Sequence, residues 1–103
     1  MSTYLNAVDW PALKPRENFS NIRIENISYA LALLSFSNFE NSEITNVDFS
    51  GAHLYRVSFK NARLKNVSFR GADLRTADFR GAQFEDVNFD QALMYDVLWD
   101  IKK

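Results

Sequence analysis

The one histidine of this 103-residue chain, His53, stands twenty residues before Asp73, and serines lie around it at Ser50, Ser58 and Ser68. A histidine held by a carboxylate can act as a general base and a serine as its nucleophile, but only where the three converge within hydrogen-bond reach of one reacting atom. Nothing in the spacing brings them to a common pocket, so a His53–Asp73 contact is expected to be a surface hydrogen bond. The chain has no cysteine, hence no thiolate, disulfide or zinc cluster, and its carboxylates are spread without a histidine group to join them. Gly51, Gly71 and Gly81 do not make a phosphate loop. These residues predict a protein that is not an enzyme and takes no cofactor and no metal.

Charge offers a second kind of chemistry. Lys60, Lys65, Arg70, Arg75 and Arg80 recur every five residues, and read along the chain they resemble a nucleic-acid footprint. Between Arg80 and Lys102 there is no basic residue, while Glu85, Asp86, Asp90, Asp96 and Asp100 crowd the same stretch. What either set can do depends on the element that carries a five-residue step.

That step belongs to the core. Large residues fall five apart at Phe19, Ile24, Tyr29, Leu34, Phe39, Ile44, Phe49, Leu54, Phe59, Leu64, Phe69, Leu74, Phe79, Phe84, Phe89, Met94 and Trp99, and a small residue sits two before each, with Glu17, Ser37 and Ser42 as the polar exceptions. On an α-helix, at about 100° per residue, a step of five scatters around the cylinder. On a flat strand an odd step alternates between the two faces. The chain must turn a corner every five residues. Every twentieth residue is alike: Phe19, Phe39, Phe59, Phe79 and Trp99 form one column, and Ala32, Ala52, Ala72 and Ala92 another. Four five-residue sides therefore make one coil, and like residues stack on like.

GADLR, TADFR and GAQFE, beginning at Gly71, Thr76 and Gly81, resemble the A(D/N)LXX motif of the pentapeptide-repeat family, and the resemblance covers roughly residues 17–101. It implies an all-β fold, a right-handed quadrilateral β-helix of about four coils. Each repeat then gains its core by stacking on its neighbours. Residues 17–101 form this solenoid, and residues 1–16 are read as an N-terminal cap. In that cap Tyr4, Leu5, Val8 and Trp10 are expected to form a turn or two of helix before Pro11, covering an apolar first coil that includes Leu31, Leu33 and Phe36. At the other end Trp99 is expected to plug the last coil with Leu98 and Ile101. A monomer is favoured, with dimerisation through the C-terminal end as the alternative.

Placed on coils, most of the basic series meets acids one coil away: Lys60 with Glu40, Lys65 with Glu85, Arg70 with Asp90, Arg80 with Asp100, and Arg63 with Glu43. With a net charge of −1, direct nucleic-acid binding is not expected. Two surfaces remain for a protein partner. One is the acidic last coil, Glu85, Asp86, Asp90, Asp96 and Asp100. The other is a fourth face carrying Leu33, Tyr55, Arg75, Leu93 and Tyr95, where Tyr and Arg are typical binding anchors. The family resemblance implies either a surrogate for duplex DNA or a general scaffold. The rod is short, which points to a protein inhibitor of a DNA-binding enzyme or complex, in the manner of an anti-CRISPR protein, with a type II topoisomerase as the alternative target. No apolar run approaches the roughly 20 residues that span a bilayer, so no membrane partner and a cytoplasmic location are expected.

Overall fold

The computed structural model describes the backbone of residues 4–5 and the whole of residues 16–100. Five strands, β1 (Tyr4–Leu5), β2 (Arg23–Ser28), β3 (Glu43–Asp48), β4 (Arg63–Ser68) and β5 (Gln83–Asn88), form one parallel sheet in chain order. From β2 to β5 the register advances by twenty residues per step, with Ile24 beside Ile44, Ile44 beside Leu64 and Leu64 beside Phe84. Parallel bridges stack the other sides in the same register, along Asn18, Asn38, Ser58, Asp78 and Leu98 and along Leu33, His53, Asp73 and Leu93. The chain is thus an all-β parallel solenoid. Among the described residues no helix is long and apolar enough to cross a membrane.

Corners recur every five residues. Each lies two positions after a large residue, and at each the backbone adopts a positive φ: glycine at Gly51, Gly71 and Gly81, and asparagine at Asn21, Asn26, Asn41, Asn46, Asn61 and Asn66. These types enter the left-handed region at least cost. Leu31, Phe36 and Thr76 are forced into the same conformation, so the stacking of coils overrides local preference there. Backbone hydrogen bonds leave each corner in both directions. Phe69 and Gly71 donate to Asn88 and Asp90 on the following coil, and Asp73 donates to Ala52 on the preceding one.

The interior is a stack of rings. Phe39, Phe59 and Phe79 lie 5.0 and 5.1 Å apart and nearly parallel, as do Phe49, Phe69 and Phe89 at 5.3 Å. Between these columns the contacts are edge-to-face, such as Phe59–Phe69 at 5.5 Å and 77°. Both geometries suit the ring quadrupole. The buried serines of the first coils are satisfied: Ser37 Oγ accepts from the Glu17 amide at 3.0 Å, and Ser42 Oγ donates to the Phe19 carbonyl at 2.6 Å.

The two ends differ from expectation. Tyr4–Leu5 is a strand on the edge of β2, with Leu5 in register with Ile24, and not the start of a helix. An unpaired parallel edge offers a ladder of backbone partners that an isolated turn of helix lacks. Val8, Trp10 and the rest of the expected cap lie outside the described residues. Leu31, Leu33 and Phe36 are exposed, and the Arg16 guanidinium lies 4.4 Å from the Phe36 ring centroid. At the C-terminal end Trp99 stacks on Phe79 at 5.1 Å, yet it remains 42% exposed and Phe84 40%. Trp99 continues its column without closing the end, and Ile101 lies outside the described residues.

Candidate protein-binding surfaces

The repeat's acidic position has a structural task that its sequence alone did not reveal. Asp73, Asp78, Asn38 and Asn88 each stand just before a large residue. Their side-chain oxygens accept the amide two residues on, at Arg75, Arg80, Glu40 and Asp90, over 2.8–3.2 Å. This turn pattern pins the side of the coil. Asp73 and Asp78 are then engaged by the side chains of Arg75 and Arg80 through paired bonds of 2.7–3.0 Å. These arginine hydrogen bonds, foremost, hold both carboxyls below the usual carboxylate range.

Several expected pairs give way to that geometry. Arg80 binds Asp78 and not Asp100, and Arg63 Nε donates to Gln83 at 3.4 Å while Glu43 pairs with Arg23 at 3.6 Å. Among the described residues no ion pair joins Lys60 to Glu40 or Arg70 to Asp90. Glu40 instead accepts from Ser58 Oγ at 2.8 Å. Lys65 and Glu85 do pair, at 3.9 Å. His53 and Asp73 are joined by a backbone bridge, but no hydrogen bond links their side chains, because the Asp73 carboxylate is turned to Arg75.

The last coil holds all five carboxylates singled out from the sequence, and they play different parts. Asp100 receives the Gly81 amide at 3.0 and 3.1 Å, replacing the carbonyl that a following coil supplies to Gly71 and Asn61. It is an end cap. Glu85 is partnered by Lys65. Asp86, Asp90 and Asp96 are exposed, and among the described residues their carboxylates have no hydrogen-bond or ion-pair partner. Asp86 and Asp96 occupy left-handed corners, φ 55° and 59°, and ten residues between them is half a circuit. The carboxylates therefore ring the coil and do not form one flat patch. On the Asp86 corner an amide ladder runs from Asn66 to Asn46 at 2.7 Å and from Asn46 to Asn26 at 2.9 Å. Asp86 has no amide to donate, so the ladder stops there.

On the fourth face the structure brings Tyr55 and Arg75 together, with the Arg75 guanidinium 5.4 Å from the Tyr55 ring centroid. Phe36 meets Tyr55 edge-on at 5.5 Å. Tyr95, 68% exposed, stands clear on the last coil beside exposed Leu93. Among the described residues no group of three His, Asp or Glu side chains is placed to hold a metal ion. The hollows described on this surface are open grooves between outward columns, one of them lined by Glu43, Arg63, Lys65, Gln83 and Glu85.

Residues 49–93 match the family model for pentapeptide repeats in nine copies. The solenoid is similar to a crystal structure of Rfr23, a pentapeptide-repeat protein from the cyanobacterium Cyanothece 51142, with a TM-score of 0.57 and 22% identity over 84% of this chain and 63% of that one. The fold is that of pentapeptide-repeat proteins. A second pentapeptide-repeat structure, HetL from the cyanobacterium Nostoc sp. strain PCC 7120, is involved in regulating heterocyst differentiation. It matches with a TM-score of 0.47 and 21% identity, over 84% of this chain and 45% of its own. The chain thus spans less than two thirds of the length of either structure. None of the curated proteins matches it.

Proposed function

We propose that this pentapeptide-repeat chain is a non-enzymatic protein-binding inhibitor. Its acidic last coil enters, end-on, a site of a DNA-handling assembly that otherwise holds phosphates. The observation that carries this reading is a set of three exposed carboxylates on the last coil with neither a cation nor a hydrogen-bond donor among the described residues. Asp73, Asp78 and Glu43 are held by arginines, while Asp86, Asp90 and Asp96 meet no cation among the described residues. Free carboxylates spaced around a rigid coil complement a basic site and steer association. Pentapeptide repeats have protein-interaction roles, which supports the same class of function. Four stacked strands at about 4.8 Å make a rod of about 20 Å, or about six base steps. That favours a short duplex-reading site, such as the one in an RNA-guided surveillance complex, over the longer groove of a type II topoisomerase. The chain would then be an anti-CRISPR protein.

The test is competition with duplex DNA for such a complex. Asp86→Lys with Asp96→Lys should keep the fold, since both side chains are exposed, with a small drop in melting temperature because lysine suits the left-handed corners less well than aspartate, and should weaken binding by about 1–3 kcal/mol. A second reading, a scaffold gripping its partner through the fourth face, draws on the Tyr55–Arg75 contact. If Tyr55→Ala with Tyr95→Ala abolishes binding while the lysine pair does not, the aromatic face is the binding site and the acidic surrogate is wrong.

A further inference from the structure

One corner of the solenoid carries an order of side chains that the repeat does not require. Arg16, Phe36, Arg56, Thr76 and Asp96 follow one another at twenty-residue steps, each with a positive φ between 57° and 68°. The amides of the first four donate to the carbonyls of Ser35, Tyr55, Arg75 and Tyr95 on the following coil at 2.8–3.0 Å, which stacks the five positions in one line along the side of the solenoid. Read along that line the corner is cation, ring, cation, hydroxyl, carboxylate. The two cations rest on rings. The Arg16 guanidinium lies 4.4 Å from the Phe36 centroid and the Arg56 guanidinium 6.0 Å from that of Tyr55, and the two rings meet edge-on at 5.5 Å. A guanidinium seated on a ring is restrained yet keeps N–H groups for a carboxylate. Arg75 and Arg80 spend theirs on Asp73 and Asp78, whereas among the described residues Arg16 and Arg56 meet no carboxylate. Arg16, Phe36, Arg56 and Asp96 are all exposed.

We propose that this corner docks a polyproline II segment of a partner protein, laid along the solenoid axis, with acidic residues at i and i+3 and a basic residue at i+6. Charge fixes the order, since the acids meet Arg16 and Arg56 and the base meets Asp96. Spacing fixes the conformation. Coils about 4.8 Å apart set Arg16 from Arg56, and Arg56 from Asp96, by about 9.6 Å. A polyproline II helix has three residues per turn at about 3.1 Å each, so i, i+3 and i+6 share one side about 9.3 Å apart. On a β-strand residues three apart point to opposite faces. On an α-helix the same-side step of seven residues spans about 10.5 Å and falls out of register by the second step. The exposed edge of Phe36, between the two arginines, offers the apolar contact that proline-rich segments take from aromatic side chains. A nucleic-acid strand, charged at every step, would set a phosphate against Asp96. This inference rests on the fourth-face reading, to which it gives a partner chemistry, and not on the acidic surrogate.

The probes are two synthetic peptides, PEPPEPPKP and its reverse PKPPEPPEP, titrated into the full isotope-labelled chain and followed by NMR. One of the two should give saturable shifts centred on the Phe36, Arg56 and Thr76 amides. Arg16→Asn and Arg56→Asn keep a residue type suited to a left-handed corner, and each should weaken that peptide at least about tenfold. Moving the second glutamate one position closer to the first should weaken it as much. The proposal is overturned if neither peptide binds, if the respaced peptide binds as well, or if Arg56→Asn leaves binding unchanged. Saturable binding of an oligothymidylate at the same corner, tighter than either peptide, also overturns it, as does self-association of the protein that Arg56→Asn abolishes, since a second copy is then the occupant. Peptides that fail while Tyr55→Ala with Tyr95→Ala still abolishes partner binding sink this inference and leave the fourth-face reading standing. A peptide that binds as described while the tyrosine pair leaves partner binding intact does the reverse.

Discussion

Asp73 and Asp78 illustrate what decides a charge pair at the level of single residues. The twenty-residue columns offer each arginine a carboxylate one coil away, at about 4.8 Å. A closer arrangement wins, because residues two apart on one side of a coil point the same way, and the aspartate is already fixed by the amide of that same arginine. The folded carboxyls of Asp73 and Asp78 lie below their ordinary value of 3.8, first because of the arginine hydrogen bonds. Their contribution to stability is therefore complete above that ordinary value and is lost as pH falls through the lowered ones. Asp73→Asn with Asp78→Asn keeps an acceptor for the amides and removes the titration. Between about pH 5 and about pH 2 the double variant should lose less unfolding free energy than the parent, measured by urea denaturation. Both arginines are about half exposed, so the difference is expected to be modest and to shrink with salt. Parallel acid limbs would show that these pairs do not stabilise the fold.

At the level of the element, stability resides in columns of stacked side chains. Phe69 lies between Phe49 and Phe89, both at 5.3 Å, and touches Phe59 and Phe79 edge-on. Phe69→Ala should cost about 3–5 kcal/mol, while Phe89→Ala, only half-buried among the described residues, should cost distinctly less. Equal losses on denaturation would mean that something covers the last ring. This gradient marks the limit of what the sequence could say. The five- and twenty-residue periods foretold the columns, the corners and the interior as far as Phe79. They did not separate exposed Phe84 from buried Leu64 in the same column, because burial at an end depends on a neighbour that the period does not contain. Nor did they foretell β1, where two residues without the repeat pair with β2. The candidate binding residues were legible as charges and aromatics. Their roles were not, since Asp100 receives the Gly81 amide on its carboxylate where Asp90 receives the Gly71 amide on its backbone carbonyl.

For the whole molecule, the asymmetry of the ends is the central result. Among the described residues one end is joined by β1, with its ring buried, and the last coil has an exposed ring, amides without a backbone acceptor and a set of carboxylates. The proposed inhibition of a DNA-handling assembly requires that the last coil stand free. Residue-resolved amide hydrogen exchange on the isolated protein tests that requirement most directly. The amides of Phe69, Gly71, Leu74 and Thr76 should be strongly protected, and their counterparts one circuit on, Phe89, Gln91, Met94 and Asp96, should exchange quickly. Equal protection of the two sets would contradict the account, for the end would then be already closed and unavailable to any partner.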